Sequence, residues 1–230
     1  MKGPLFYSKI LLFGEYGIIQ DSKGLSIPYN FYNGALKSDG NTSSEAIKSN
    51  ANLKRFITYL ENLQLEQPEL VTFDLATLNQ DVAAGMYFDS SIPQGYGVGS
   101  SGALVAAIYD KYAQNKITVL ENLTREKLLQ LKTIFGQMES FFHGKSSGLD
   151  PLNSYLSIPI LINSKDNIEA TGIPNQILDG KGAVFLLDSG IIGETAPMVS
   201  IFMENLKDKG FRSMLKNQFV KYTDACVENF

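Results

Sequence analysis

Between Ile92 and Gly102 the chain reads Ile-Pro-Gln-Gly-Tyr-Gly-Val-Gly-Ser-Ser-Gly, with glycines alternating at 95, 97 and 99. The apolar run Ala103-Leu104-Val105-Ala106-Ala107-Ile108-Tyr109 follows directly and predicts a helix. A loop stripped of side chains lets backbone N–H groups close on phosphate oxygens, and a helix N-terminus adds partial positive charge. The hydroxyls of Ser100 and Ser101, at the first turn, can bind a phosphate or a metal ion. The chemistry this pattern suggests is therefore nucleotide phosphate binding. No lysine precedes the hydroxyl residues, so the loop is not a Walker A sequence. A glycine-rich turn capped by serine is the plainer alternative.

Four other residues could carry chemistry. Lys9 lies in Tyr7-Ser8-Lys9-Ile10-Leu11-Leu12-Phe13. As a strand, this segment puts Lys9 on one face with Tyr7, Leu11 and Phe13. The opposite face (Ser8, Ile10, Leu12) is also mostly apolar, so both faces are expected to be covered. A lysine there needs a partner, unless it snorkels to water from the strand end. Glu139 falls on or beside the apolar stripe of a helix predicted from an N-cap at Thr124 through Phe142: Leu128, Leu131, Phe135, Met138 and Phe142. A carboxylate at that edge is either solvated or partnered, and a divalent cation is one candidate. His143 is the single histidine and reads as a packing or loop-anchoring residue. Asp150 precedes Pro151 and, alone, reads as a cap or turn aspartate.

The elements that must position these residues mix strands and helices without βαβ regularity, which predicts an α+β fold. Leu5–Ile19 reads as two short strands around Gly14, and Val71–Leu78 as a strand leading to Asp89-Ser90-Ser91. A helix is expected over Ala51–Leu65, and strands around Tyr155–Ile162, Ile168–Thr171 and Ala183–Asp188. Further helices are expected from Thr195 to Lys209 and beyond Phe211. Apolar residues make up 44% of the 230 and charged residues 19%, a balance that buries a core and excludes disorder. The net charge of −4 argues against a nucleic-acid surface. Cys226 is the only cysteine, which excludes an internal disulfide framework and a cysteine-based zinc site and predicts a reducing, cytoplasmic location. The N-terminus does not read as a signal peptide, and no run reaches the length of a membrane span. The polar turn Ser164-Lys165-Asp166-Asn167 is taken as the domain boundary, giving domains over 1–165 and 166–230.

Three strings together resemble the GHMP kinases, and most closely their mevalonate kinase branch. The loop resembles the motif P-x-x-x-G-L-G-S-S-A, with Val98 and Gly102 as mild variants. Lys9…Gly14-Glu15-Tyr16 resembles the first motif, with Tyr16 in place of histidine. His143-Gly144-Lys145-Ser146-Ser147-Gly148-Leu149-Asp150 resembles H-G-x-P-S-G-x-D, with Ser146 in place of proline. Asp188-Ser189-Gly190 and Thr195 resemble a D-T-G…T segment on the substrate side, though Asp-Ser-Gly is equally an ordinary strand-ending turn.

The resemblance implies an N-terminal domain like ribosomal protein S5 domain 2, followed by a ferredoxin-like C-terminal domain. It implies ATP and Mg²⁺, with Gly95, Gly97, Gly99, Ser100, Ser101 and Gly102 at the nucleotide. Ser101 and Glu139 would hold the metal, Asp150 and Lys9 would be catalytic, and Glu15, Tyr16 and Thr195 would face the substrate. The activity implied is phosphorylation of a small-molecule alcohol, foremost mevalonate in isoprenoid precursor synthesis. Phosphomevalonate kinase, another GHMP small-molecule kinase and an inactive fragment are the alternatives. The expected partner is a mevalonate-like small molecule, with no nucleic acid or membrane and with a homodimer left open. The family's third glycine-rich motif does not occur in these residues, so the C-terminal domain is expected to be incomplete. Such a truncated chain is expected to bind ATP weakly, turn over little substrate and self-associate.

Overall fold

A helix that is apolar on every side has to be buried. The run after the glycine loop forms such a helix, α3 (Ser100–Tyr112), in which Val105, Ala106 and Ile108 are fully buried. The computed structural model describes residues 4–119, 122–172, 186–188, 190–193 and 195–229. In chain order the elements are β1 (Phe6–Phe13), β2 (Gly24–Lys37), α1 (Ser44–Glu66), α2 (Leu75–Ala83), β3 (Tyr87–Ser90), α3, α4 (Arg125–His143), α5 (Leu149–Leu156), β4 (Ile160–Ser164), β5 (Asn167–Ala170), α6 (Thr195–Asn205), α7 (Lys209–Met214) and α8 (Lys221–Asn229). The α+β expectation holds.

The chain forms two compact units. The first takes the described residues of 1–10, 27–93 and 98–157, and the second those of 11–26, 94–97 and 158–230. In the first unit α2, α4 and α5 pack on α3, and α1 packs on α2, α4 and β3. Leu53, Phe56 and Leu60 of α1, Leu131, Phe135 and Met138 of α4, and Leu152 of α5 are all at most 1% exposed. Tyr109 anchors this core, its ring meeting Phe135 and Tyr155 edge-on at 5.0 and 5.2 Å. Thr124 caps α4 through Lys127 N, as its position before the apolar stripe predicts.

Strand order is β1-β2-β4-β5, with β3 also pairing β2. Within the first unit, β2 and β3 run antiparallel from Gly34 opposite Ser90 to Lys37 opposite Tyr87. Within the second, β2 meets β4 through Gly24 opposite Ile162, and β4 meets β5 through Ile160 opposite Ala170. The helices of the second unit bury Phe202, Leu206 and Leu215, against which Tyr16, Phe211 and Val220 pack. A π-helical stretch, Leu215–Val220, joins α7 to α8.

Several elements differ from the sequence reading. The second strand expected before Ile19 is instead a 3-10 turn, Gly17–Gln20, because Gly14 (φ 103°) and Tyr16 (φ 59°) turn the chain out of the extended path. Val71–Leu78 is not a strand beyond an isolated bridge at Phe73. The Asp74 carboxylate accepts from Thr77 N at 3.0 Å and starts α2 there. Tyr155 and Leu156 end α5, and the strand begins only at Ile160. The helix expected to run to Lys209 stops at Asn205, and Asp208 caps a new one through Phe211 N. Of the strand expected over 183–188, residues 183–185 lie outside the described residues, as does Ser189, and 186–188 are not in a strand. Strands β2 and β3 have no counterpart in the sequence reading. β2 alternates poorly because Pro28, Asn30, Asn33 and Gly34 interrupt its apolar residues.

Candidate active site

The site grows from β1. The Ser154 hydroxyl on α5 donates to Tyr7 O at 2.8 Å, which fixes that helix along the strand. Tyr7 and Lys9 share a strand face, so the start of the same helix comes over Lys9. Asp150 occupies that first turn, and its Oδ1 lies 2.9 Å from Lys9 Nζ. The lysine, 7% exposed, is paired as a charge between two covered faces requires. Gly148 caps α5 at φ 74°, and Pro151 is tolerated because first-turn N–H groups have no intrahelical partner. The helix N-terminus adds favourable field for the Asp150 carboxylate.

The glycine loop is tied to the same strand, since Lys9 N donates to Val98 O at 3.0 Å. Gly99 then turns the chain into α3 with φ 85°, and a Cβ there would lie 3.1 Å from Lys9 Cγ. No side chain caps α3, so its first N–H groups have no hydroxyl or carboxylate of the cap residue over them. Gly97 also has positive φ, 68°, with open space around it, while Gly95 (φ 79°) faces Ile192 in the second unit. Gly102 lies where α3 crosses α5, and a Cβ would stand 2.7 Å from Asp150 C.

Ser101 on the first turn of α3 donates to Glu139 Oε1 at 2.8 Å, and His143 Nε2 lies 3.0 Å from the same hydroxyl. Glu139 and His143 are four apart on α4 and so share a face. A serine has one proton. With that proton on Glu139, Ser101 accepts from His143, and Nε2 carries the hydrogen. Ser146 donates to the other carboxylate oxygen, Glu139 Oε2, at 2.5 Å. Glu139 is 3% exposed, and burial pushes its carboxyl up to about 7. The Asp150 charge adds to that rise, while the hydrogen bonds from Ser146 and Ser101 and the Lys9 charge oppose it.

Lys9, Ser101, Glu139 and Asp150 thus come together in the first unit. Glu15 and Tyr16 belong to the second, where Glu15 is exposed and the Tyr16 ring packs on Phe202 at 5.2 Å. Thr195 opens α6 in that unit. His143, read from the sequence as a packing or loop-anchoring residue, is exposed and its ring reaches Ser101. Its four-residue spacing from Glu139 was the available signal. Ser146 was missed as a site residue, and nothing in its spacing marks it.

The donor set fits a Mg²⁺ ion. Mg²⁺ at about 2.0–2.1 Å from each oxygen puts adjacent ligands roughly 3 Å apart. Ser101 Oγ and Glu139 Oε1 already stand 2.8 Å apart. Among the described residues no group of three or more His, Cys, Asp or Glu could hold a metal. A separate cavity of about 460 Å³ lies upstream of the loop, lined by Leu5, Asn33, Ala35, Lys37, Asp89, Ser90 and Ser91.

Residues 57–157 match the family described as GHMP kinases N terminal domain. This segment is homologous to the GHMP kinases. It holds the glycine loop, Ser101, Glu139 and Asp150, and the GHMP homology is homology to ATP-dependent small-molecule kinases. Among solved structures, the Methanococcus jannaschii mevalonate kinase superposes with a TM-score of 0.53 at 12% identity, covering 100% of this chain and 72% of that one. At that identity the match shows the fold alone. The L. major mevalonate kinase in complex with R-mevalonate has a TM-score of 0.49 at 17% identity, over 100% of this chain and 70% of that one. The enzyme from Staphylococcus aureus MRSA252 has a TM-score of 0.37 at 21%, over 72% of this chain and 53% of that one. No curated protein sequence matches the chain. Among the described residues no helix is long and apolar enough to cross a membrane.

Proposed function

We propose that this protein transfers the γ-phosphoryl group of ATP to the hydroxyl of a small-molecule alcohol, with mevalonate as acceptor and 5-phosphomevalonate as product. One observation carries the reading: the Lys9–Asp150 ion pair and the Ser101–Glu139 pair are both built on elements around the N-terminus of α3. Phosphoryl transfer asks for positioning and for neutralisation of charge spread over the phosphate oxygens. The α3 N–H groups and the glycine loop meet the phosphates. Ser101 and Glu139 would hold Mg²⁺, which when bound screens the phosphate charge and orients the γ-phosphoryl group. The alcohol oxygen forms the new bond to Pγ as the bond from Pγ to the bridging oxygen breaks and ADP leaves. Asp150 takes the hydroxyl proton. A carboxylate is too weak a base to ionise an alcohol beforehand, so the proton moves late in the step. Lys9 pairs with Asp150 and offsets charge on the reacting oxygen.

Mevalonate is preferred among acceptors on the string His143-Gly144…Ser147-Gly148-Leu149-Asp150. With this reading go an S5-domain-2-like N-terminal domain and a ferredoxin-like C-terminal one. Coupled ADP release with mevalonate, phosphomevalonate, galactose and homoserine tests it. Mevalonate should give the largest rate. A larger rate with another acceptor reassigns the substrate. Nucleotide binding without ADP release on any acceptor makes the chain a binding module.

A further inference from the structure

We infer that Ser146 is the positioning residue that sets the Glu139 carboxylate for metal binding. The inference rests on the kinase reading above. Glu139 reaches the site from α4 on a side chain with three rotatable bonds, and its two oxygens have different partners. Oε1 is turned to Ser101, the other candidate ligand. Oε2 is held from the far side by the Ser146 hydroxyl at 2.5 Å. With Oε2 held, rotation that would carry Oε1 away from Ser101 breaks a hydrogen bond in a place with little access to water.

Ser146 is itself anchored. Its oxygen accepts from Gly148 N at 3.0 Å, so its single proton is directed to Glu139. Gly148 is the cap residue of α5, and Asp150 stands two residues further on. One hydroxyl therefore connects the carboxylate on the metal side to the helix that carries the proposed base. Hydrogen bonds from such outer partners orient metal ligands, and their loss typically lowers metal affinity by about 10–100-fold. Ser146 is only half-buried, so losing its hydroxyl removes little packing.

The test compares affinity for MnATP with affinity for metal-free ATP in EDTA, by titration calorimetry, for the wild type, Ser146→Ala and Ser146→Thr. The expected result is a 10–100-fold loss of MnATP affinity in Ser146→Ala, with metal-free ATP affinity unchanged. Ser146→Thr, which keeps the hydroxyl, should restore MnATP affinity to within a few-fold of wild type. Equal MnATP affinity in wild type and Ser146→Ala overturns the role of Ser146 and leaves the kinase reading standing. Equal losses in both variants, with a lowered melting temperature, make Ser146 structural and overturn the inference. Failure of the wild type to bind either nucleotide overturns the kinase reading and this inference with it.

Discussion

Helix α3 in the first unit hides Ala103, Val105, Ala106, Ala107, Ile108 and Tyr109 to 1% exposure or less, whereas α6 in the second leaves Met198, Ile201 and Met203 about half exposed. The first unit closes its core from several sides, with aromatic rings of α3, α4 and α5 interlocked at Tyr109, Phe135 and Tyr155. The helices of the second gather around Phe202, Leu206 and Leu215, while Phe219 and Tyr222 stay exposed. The candidate site lies in the better packed region. Lys9, Ser101, Glu139 and Asp150 all project from elements rooted in the first core. A proton acceptor and a metal ligand must be held to within about half an ångström, and only side chains locked by packing and hydrogen bonds achieve that.

The sharpest way to break this comparison is to cut both cores. Phe135→Ala removes a fully buried ring and should cost about 3–5 kcal/mol of stability, measured by denaturant unfolding. Leu206→Ala, in the smaller cluster beside exposed neighbours, should cost less than about 2 kcal/mol because the site can collapse. Equal losses would show the two cores to be equally demanding.

Within the site, Asp150→Asn should lower turnover by at least about a hundredfold with little change in melting temperature. Turnover near that of the wild type would remove Asp150 from the chemistry. Glu139 gives the first unit a pH dependence of its own. Its carboxyl is raised to about 7 in the folded protein, chiefly by burial. The folded state therefore holds that proton more tightly than the unfolded chain. The resulting stability is present below the ordinary carboxyl range and is lost as pH rises through about 7. Metal-free protein should lose up to about 3 kcal/mol across that window. Glu139→Gln should flatten the profile, and an unchanged slope would assign it to another group.

The site was more legible in the sequence than the sheet. Lys9 and Glu139 stand out as charged residues in apolar strings and Ser101 as a hydroxyl after the glycine loop, Asp150 enters through the resemblance of its string, and the structure brings these four together. Their partners were less visible. Ser146 meets Glu139, and Gly148 meets Ser146, through a loop path that no fixed spacing encodes. β2 was missed because sheet pairing is decided by distant partners such as Ser90 and Ile162, and Pro28 and Gly34 weaken its local pattern. Asp74 was misread because one capping hydrogen bond converts an alternating stretch into the start of a helix.

The smallest effect separates the regions by a single methyl group. In a helix, alanine is ordinarily better than glycine by about 0.5–1 kcal/mol, so propensity alone makes Gly102→Ala stabilising. At Gly102, however, the added Cβ would stand 2.7 Å from Asp150 C and 2.8 Å from Pro151 N. Both are backbone atoms and cannot swing aside, so α3 and α5 must separate. Overpacking of that kind costs about 1–3 kcal/mol, which outweighs the propensity gain. Because the displaced backbone is that of Asp150, turnover should fall along with the melting temperature. Gly172 in the second unit has nothing within 4 Å of an added Cβ. Gly172→Ala should therefore change stability by no more than about 0.5 kcal/mol and leave turnover alone. Thermal melts and ADP-release rates on the two variants decide the matter. A Gly102→Ala protein as stable and active as wild type would mean that α3 can move away from α5 without disturbing Asp150.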